Sequence, residues 1–492
     1  MAEPDIPYAY DLMQRTIAAV TVNGAPLTSL LIDDKHNLWH RFVQWAFFDD
    51  YTRFSATKNF ADMRDRYVVT ESAHLPFGAF IFGMIAAIIT GVSFLFVMFG
   101  RSRVLIYSVD KLVTRFRGDG RLERVYAYLH KHNVVYTEVF HTILGRSFFN
   151  KFVARGRVPV YFEGIEWVYF VGRMVKRLVG GRDVSIVIGG LDNFTPDEKL
   201  QVQATVKKFV SVAPLFRFRR SVLSFVLKHS RVRVVFATDD ARHYQELAAA
   251  AHDNGIPSYA FQHGQVMPYF MGWLKDERYK GEYFRPDYFV VWSEYWKKEL
   301  IALKSVWPEE NIMVGGSPKV TLAAEDIVRA RSADARTVLV PYEIDAPVSL
   351  IKEFVAAAKD ADIVVIFKLR ADIPKDEQLA PYAFGPRDVE VITSLAELKT
   401  PITAVVGAYS TFLYDAVETL VPVGLLDSPL LHSKRMVTNG IANRVSVESL
   451  AHDIDVLAAL PETELEARKT QVAVVNSFSM TLEGILKSTK LV

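Results

Sequence analysis

The chain has 492 residues, 50% of them hydrophobic and 12% aromatic, which excludes a disordered chain and suggests two or three domains. Its formal net charge is only +2, so no overall field attracts nucleic acid. The absence of cysteine excludes disulfides, cysteine-ligated zinc and thiol nucleophiles.

The first strong feature along the chain is an apolar run at residues 75–100, which contains no charged residue. A helix rises about 1.5 Å per residue, so this run would reach roughly 39 Å, against about 30 Å for a hydrocarbon core. We predict a helical segment over 1–74 and a transmembrane or re-entrant helix over 75–100, with Gly91 as the position of a hairpin. The aromatic stretch 38–48 is a further candidate for the membrane surface.

Basic residues after this run predict its orientation. Seven Lys or Arg lie between residues 101 and 124, whereas the twenty residues before the run contain three. The positive-inside bias therefore places the large C-terminal part in the cytoplasm.

Short β-branched runs alternate with helical stretches from residue 101 onwards. Such alternation predicts an α/β protein with parallel sheets, here two Rossmann-like doubly wound domains over 101–325 and 326–455. The predicted strands of the first domain are 103–107, 134–140, 158–162, 184–188, 232–237 and 259–262. Those of the second domain are 338–341, 363–367, 389–392, 404–406 and 421–425. The main predicted helices are 122–130, 241–252, 348–358 and 410–420, and the charged stretch 325–331 is also helix-like.

Two strands of the first domain end in polar residues that could carry chemistry. His263 and Gly264 follow the strand 259–262, where a histidine can act as a base near neutral pH. Asp239 and Asp240 follow the strand 232–237 and could bind a substrate hydroxyl or orient His263. Backbone-satisfied strand ends, and a helix cap in the case of the aspartates, are the alternatives.

The second domain offers an anion site. Ser410 and Thr411 begin a predicted helix, where free N–H groups and a partial positive charge favour phosphate. Asp415 lies one turn further, where a carboxylate could accept bonds from ribose hydroxyls. Lys368 and Arg370 follow a strand and could neutralise a diphosphate. Simple capping, a solvated carboxylate and an ordinary surface pair are the alternatives.

A basic stretch runs from residue 199 to residue 238, with nine Lys or Arg and no acidic residue. Beside a membrane segment it suits anionic headgroups or a lipid-diphosphate acceptor, and a solvated helix face is the alternative. The usual nucleotide-binding loops and the nucleophile elbow of serine hydrolases do not occur.

Five motifs in order resemble the GT-B glycosyltransferases of bacterial surface polysaccharide biosynthesis. They are QHG (262–264), RPDYFVVWSEYWKKEL (285–300), VGGSPK (314–319), FKLR (367–370) and AYSTFLYDAVETLVPV (408–423). The resemblance implies nucleotide-sugar chemistry between two Rossmann-like domains without a metal or other cofactor. It also implies that the final helices, 456–492, return to the first domain.

The resemblance assigns candidate roles by position. His263 matches the candidate base, Ser410 and Thr411 match the phosphate-binding turn, and Lys368 matches a phosphate-contacting lysine. Asp415 stands where the family commonly has glutamate. Arg370 replaces the histidine of a His-Pro pair that often follows that lysine in the family. Ser317 belongs to the segment between the domains.

The expected function is that of a membrane-associated glycosyltransferase at the bacterial inner membrane, with its catalytic domains in the cytoplasm. It would move a sugar from a nucleotide-sugar donor to a lipid-linked or glycan acceptor, without nucleic acid as a partner. A CDP-polyol phosphotransferase, a sugar 2-epimerase and a non-catalytic scaffold of a polysaccharide assembly complex are the alternatives.

Overall fold

The computed structural model describes most of the chain. The described residues are 5–31, 38–64, 77–109, 119–141, 159–178, 185–238, 245–266, 273–275, 285–319, 326–330, 336–344, 346–370, 373–385, 387–428, 434–474 and 477–491.

Strands and helices are numbered in chain order. The strands are β1 (Thr21–Val22), β2 (Ala25–Pro26), β3 (Val104–Val109), β4 (Tyr136–His141), β5 (Val160–Tyr161), β6 (Ile188–Gly189), β7 (Val234–Thr238), β8 (Ser258–Phe261), β9 (Tyr288–Val291), β10 (Ile312–Val314), β11 (Thr337–Pro341), β12 (Val364–Lys368), β13 (Glu390–Ile392), β14 (Ala404–Gly407), β15 (Val423–Leu426) and β16 (Asn443–Val445). The helices are α1 (Ile6–Ala19), α2 (Leu27–Leu31), α3 (Trp39–Gln44), α4 (Thr52–Thr57), α5 (Phe77–Phe99), α6 (Glu123–Lys131), α7 (Phe162–Leu178), α8 (Pro196–Lys228), α9 (Gln245–His252), α10 (Glu294–Ala302), α11 (Val348–Asp360), α12 (Lys375–Leu379), α13 (Thr411–Val417), α14 (Lys434–Thr438), α15 (Leu450–Ala458), α16 (Glu462–Val472) and α17 (Phe478–Ser488).

Two parallel sheets form the body of the protein. The first has seven strands in the order β10-β9-β8-β7-β3-β4-β5, and the second has six in the order β13-β12-β11-β14-β15-β16. When the strands of each sheet are renumbered in chain order, both sheets have the order 3-2-1-4-5-6 of the Rossmann fold. The first sheet has one additional strand after the sixth. The predicted fold class of two Rossmann-like α/β domains is confirmed.

The N-terminal segment packs as a helical layer on the first half of the long helix α8. Its core joins apolar residues of α1 and α3 to α8 residues such as Phe209 and Phe216. The prediction of a membrane-surface role for 38–48 is wrong, because Trp39, Phe42 and Phe47 are each at most 2% exposed in this core. Their burial against α8 leaves none of these three rings free to enter a membrane.

The predicted strand 184–188 does not belong to the parallel sheet. Its described end forms β6, which pairs antiparallel with β1 in a separate three-stranded sheet. The N-terminal hairpin β1–β2 supplies the backbone partners that satisfy this short strand.

Helix α8 contains most of the predicted basic stretch. It begins with a capping box in which Thr195 and Glu198 exchange hydrogen bonds, and it continues through Pro214. Arg219 is 2% exposed and lies 3.1 Å from a Glu166 carboxylate oxygen. Arg220 pairs with Asp253 at 2.7 Å. Two of the arginines assigned to a lipid-facing role therefore neutralise carboxylates of the protein.

Helix α5 runs without a break from Phe77 to Phe99. A hairpin broken at Gly91 is therefore wrong for this segment. The helix packs against the edge strand β5 and against α7. One stretch of it, Ile81–Phe99, is long and apolar enough to span a membrane by length and composition.

The segment after β10 and the C-terminal helices connect the domains. Residues 326–330 of the helix-like stretch 325–331 are not helical: a bend at 326–327 is followed by Arg329, which forms an isolated parallel bridge with Ile402. Backbone hydrogen bonds to Ile402 therefore replace the helical hydrogen bonds that the charge pattern of 325–331 suggested. Helix α17 returns to the first domain, where Phe478, Leu482 and Ile485 enter the core beneath β3, β7 and β8.

Candidate functional site

The candidate site lies where the carboxyl ends of the two sheets meet. In a Rossmann-type sheet the ligand crevice opens at the switch point of the strand order, here between β3 and β7 and between β11 and β14. The loop after β8 and the loop after β14 come together there. A Cβ placed on Gly264 would lie 3.6 Å from the Thr411 hydroxyl. The structure thus brings the predicted histidine loop beside the predicted phosphate turn.

The loop after β8 is held by its glutamines. The buried Gln262 accepts a bond from the Trp292 backbone N–H at 3.0 Å and donates to the Gly264 carbonyl at 2.8 Å. Gln265, which is 5% exposed, donates to the backbone carbonyl of Tyr409 in the other domain. His263 lies between them and is partly buried. The loop therefore has a defined path, and it connects the domains directly at the crevice.

The turn that precedes α13 already holds a carboxylate. Glu343, 4% exposed, follows β11 and accepts bonds from three consecutive N–H groups: Ala408 at 2.7 Å, Tyr409 at 3.0 Å and Ser410 at 2.6 Å. Gly407 permits this approach, because a Cβ there would lie 2.8 Å from a Glu343 oxygen. Glu343 therefore occupies the Ser410 N–H, one of the donors that the sequence analysis assigned to a phosphate, together with the two N–H groups before it.

Ser410 is the N-cap of α13, and its hydroxyl accepts a bond from the Phe412 N–H at 3.1 Å. The capping alternative for Ser410 is therefore observed. The next residue, Thr411, begins the helix and faces Gly264 across the crevice. Of the predicted pair, Thr411 has the side chain nearer to the histidine loop.

Lys368 is a half-buried cation at the end of β12. Its ammonium group lies 3.4 Å from the Leu369 carbonyl and 5.1 Å from the centre of the Phe412 ring. Burial, and after it the charge of Arg370, lowers the pKa of Lys368. An anion bound here would therefore interact with a partly desolvated cation near the N-terminus of α13. Arg370 itself is exposed, and its backbone is held by Gln378.

Asp415 forms an ion pair that the sequence analysis missed. Both of its oxygens accept bonds from the Lys319 ammonium, at 3.2 and 2.9 Å, and that ammonium also lies 4.8 Å from the centre of the Trp292 ring. Ser317 is fully buried, and its hydroxyl accepts the Lys319 N–H at 3.3 Å. In this structure Asp415 therefore connects the second domain to the segment between the domains. A ribose contact by Asp415 stays a prediction.

Asp239 and Asp240 lie outside the described residues, directly after β7. Sequence reasoning overlooked Glu343, Gln265 and Lys319. One signal for Glu343 was available, because a carboxylate two residues after a predicted first strand falls at the switch point.

A cavity of about 300 Å³ opens at the carboxyl ends of β15 and β16, lined in part by Asp427, Lys434 and Arg444. Asp427 and Arg444 form an ion pair across it. No group of three or more His, Asp or Glu that could hold a metal ion occurs within the described ranges.

The chain resembles several solved structures. The glycosyltransferase of kitacinnamycin is 12% identical over 78% of this chain and 98% of its own, with a TM-score of 0.46. The lipopolysaccharide outer core galactosyltransferase WaaB is 11% identical over 79% and 100%, with a TM-score of 0.42. The UDP-N-acetylglucosamine 2-epimerase from Rickettsia bellii is 13% identical over 79% and 96%, with a TM-score of 0.43.

No protein-family model and no curated protein matches the sequence. With identities and TM-scores this low, the likeness to the solved structures does not extend to substrates or residue roles.

Proposed function

We propose that the protein is a membrane-associated glycosyltransferase of bacterial cell-surface glycan synthesis, which moves a sugar from a nucleotide-sugar donor to a lipid-linked or polysaccharide acceptor. The observation that carries the proposal is the meeting of two Rossmann-order sheets with Gly264 beside Thr411. An acceptor group on one loop and a donor group on the other would lie within reach of each other, which transfer between two bound substrates requires.

The donor diphosphate is assigned to Lys368, Arg370 and Thr411. Lys368 is the strongest candidate, because its ammonium group contacts only the Leu369 carbonyl and the Phe412 ring among the described residues, and burial lowers its pKa against the opposing charge of Asp415. A diphosphate would restore a counter-charge and stabilise the leaving nucleotide. Ser410 and Asp415 are proposed to shape this half of the site, since both already have partners.

The acceptor is assigned to the first domain. His263 is proposed to deprotonate or orient the acceptor hydroxyl, with Asp239 and Asp240, which follow β7 in the sequence, as its helpers. Gly264 leaves space for the sugar beside Thr411, and Ser317 fixes the segment that carries Lys319. The protein is proposed to act at the cytoplasmic face of the bacterial inner membrane, with the nucleotide sugar as substrate and no cofactor or metal.

One observation favours a second candidate, a non-catalytic scaffold of a polysaccharide assembly complex. Glu343 fills three N–H groups of the turn, and Lys319 neutralises Asp415. A degenerate site, in which protein side chains permanently replace the donor, would have this arrangement.

Nucleotide binding separates the two candidates. The melting temperature of the full chain is measured with UDP, GDP, CDP and CMP, for the wild type, Lys368→Ala and Lys352→Ala. Lys352 is the matched control, an exposed lysine of α11 in the same domain. The transferase proposal expects one nucleotide at 100 times its Kd to stabilise the wild type and Lys352→Ala by about 2.7 kcal/mol. It expects Lys368→Ala to respond much less.

If no nucleotide changes the melting temperature and His263→Ala leaves cell-surface polysaccharide unchanged, the scaffold reading replaces the enzyme. The nucleotide that binds also tests the CDP-polyol alternative, because that enzyme requires a CDP-linked donor.

A further inference from the structure

Helix α5 has its hydroxyl side chains on the protein side, among buried apolar residues such as Ala86 and Val97, whereas the large side chains on its solvent side are all apolar. Thr90 and Ser93 are at most 3% exposed. The Thr90 hydroxyl exchanges bonds with the backbone of Tyr161 at 2.9 and 3.1 Å, and the Ser93 hydroxyl donates to Pro159 at 2.5 Å. A helix on the surface of a water-soluble protein has the opposite arrangement.

The outward face of α5 is entirely apolar, and α7 extends it. On α5 the exposed large side chains follow one helical stripe: Met84, Ile88, Val92, Leu95, Phe96 and Phe99, from 38% to 76% exposed. On α7 they are Val168, Phe170, Met174 and Val175, from 42% to 51% exposed. These ten residues are here called the α5–α7 face. So many large apolar side chains exposed on two helices in contact mark an interaction site.

The packing of α5 favours a helix that does not cross a bilayer. A Cβ on Gly164 would lie 2.5 Å from the Ala86 carbonyl oxygen, so α5 and α7 are in backbone contact. The protein-covered stripe runs from Gly83 to Val97, which is roughly 21 Å of helix at about 1.5 Å per residue. If α5 spanned the membrane, the charged side chains of α7, which packs on α5, would enter the hydrocarbon, where charged groups are costly.

Charge around the face fits an anionic lipid surface. The acidic residues of α7 turn inwards, where Glu166 pairs with the buried Arg219. Arg101 follows α5 and Lys176 lies near the end of α7, and both are exposed. Basic residues at the rim of an apolar face can reach anionic headgroups while the apolar side chains enter the acyl region.

We propose that the α5–α7 face lies in the plane of an anionic bilayer, so that the protein binds one leaflet and does not cross it. This inference rests on the membrane association proposed above and specifies its geometry. A second copy of the chain is the less suitable occupant. The exposed positions of α5 contain no hydrogen-bonding side chain, and the stretch 81–99 has a mean hydropathy of 2.4. Interfaces between copies are more apolar than ordinary surface, but they still contain direct hydrogen bonds, for which these positions offer no side chain.

Vesicle flotation tests the lipid surface. The full-length chain is mixed with phosphatidylcholine vesicles, with or without phosphatidylglycerol, for the wild type, Ile88→Glu, Phe96→Glu and Leu200→Glu. Leu200 is the matched control, an apolar residue of α8 that is 49% exposed outside the face. We expect anionic vesicles to bind the wild type and Leu200→Glu, and binding of the other two to fall at least about tenfold. Circular dichroism verifies the fold of each variant.

Thiol labelling from either side of the membrane tests the in-plane geometry in variants whose α5–α7 face is unchanged. The natural chain has no cysteine, so Ser29→Cys and Glu448→Cys each introduce a single thiol, one on either side of α5 in the sequence. Both positions are exposed. A membrane-impermeant maleimide is applied to inside-out vesicles and to spheroplasts. We expect both thiols to react in the same preparation.

Each opposite result has a separate meaning. Labelling of the two thiols from opposite sides would overturn the in-plane geometry and leave membrane association intact. Absence of vesicle binding, with a dimer in solution that Ile88→Glu dissociates, would overturn both membrane statements and make the face an interface between copies. Neither result bears on nucleotide binding, which the melting experiment tests separately.

Discussion

Replacement of Glu343 by alanine should destabilise the second domain, because this carboxylate accepts three consecutive N–H groups of the turn before α13. It accepts three N–H bonds of 2.6 to 3.0 Å while being 4% exposed. A hydrogen bond to a charged group contributes about 1.5–3 kcal/mol, and three bonds to one carboxylate are not additive. We expect the free energy of unfolding to fall by about 3–5 kcal/mol in Glu343→Ala. In Glu343→Gln, which keeps one acceptor oxygen, we expect a fall of about 1–3 kcal/mol.

Urea denaturation followed by circular dichroism measures these changes, with Glu353→Gln as the control. Glu353 is an exposed glutamate of α11 in the same domain, and its replacement should change the free energy by less than about 0.5 kcal/mol. A loss below about 1 kcal/mol for Glu343→Ala would refute the reasoning, because three buried N–H groups would then have lost their acceptor at almost no cost.

The same variant distinguishes an anchor from a competitor. If Glu343 fixes the turn in a shape that the donor needs, Glu343→Gln should bind nucleotide diphosphate more weakly than the wild type. Tighter binding would instead mean that the carboxylate competes with phosphate for the N–H groups. Isothermal titration with UDP, GDP and CDP measures the difference.

Further predictions follow from other charged groups. Nucleotide diphosphate affinity should fall as pH rises through the pKa of Lys368, which burial and Arg370 lower, and titration calorimetry from pH 7 to 10.5 should show this loss in the wild type and little pH dependence in Lys368→Ala. Glu198 has a pKa of about 2, because bonds from Arg15, the Thr195 N–H and Tyr8 outweigh the opposing effect of burial. Its folded pKa lies below the unfolded value near 4.5, so it should contribute about 3 kcal/mol above pH 4.5 that is lost as pH falls towards 2, and Glu198→Gln should flatten this part of an acid unfolding curve. A double-mutant cycle of Lys319→Met and Asp415→Asn should give a coupling energy of about 1–3 kcal/mol in urea denaturation, and additive losses would contradict the ion pair.

Local sequence predicted the Rossmann architecture well where strands are buried on both faces. The strand β11 was expected at 338–341 and is observed at Thr337–Pro341, and β12 was expected at 363–367 and is observed at Val364–Lys368. Parallel strands covered on both faces are continuous apolar runs, which single-sequence patterns detect. The strands β9, β10 and β16 of the parallel sheets were missed, and 184–188 was assigned to the wrong sheet. Pairing partners far apart in the chain decide such short strands.

The candidate site was predictable to the level of the loops. The positions of His263 and Lys368 after strands required only strand ends, and Gly264 does lie beside Thr411. The partners of these groups were not predictable. Glu343 and Ser410 are 67 residues apart in the chain. Only the pairing of β11 with β14 brings the carboxylate to the turn.

The sequence by itself determined the alternation of strands and helices, the polar strand ends and the apolar character of residues 75–100, because each follows from local composition and period. Only the tertiary structure decided which donors Glu343 fills and which carboxylate Lys319 neutralises. It also decided that Thr90 and Ser93 face the protein while Ile88 and Phe96 face outwards. The reason is that a buried polar group must find a partner, and the fold alone determines which distant segment supplies it.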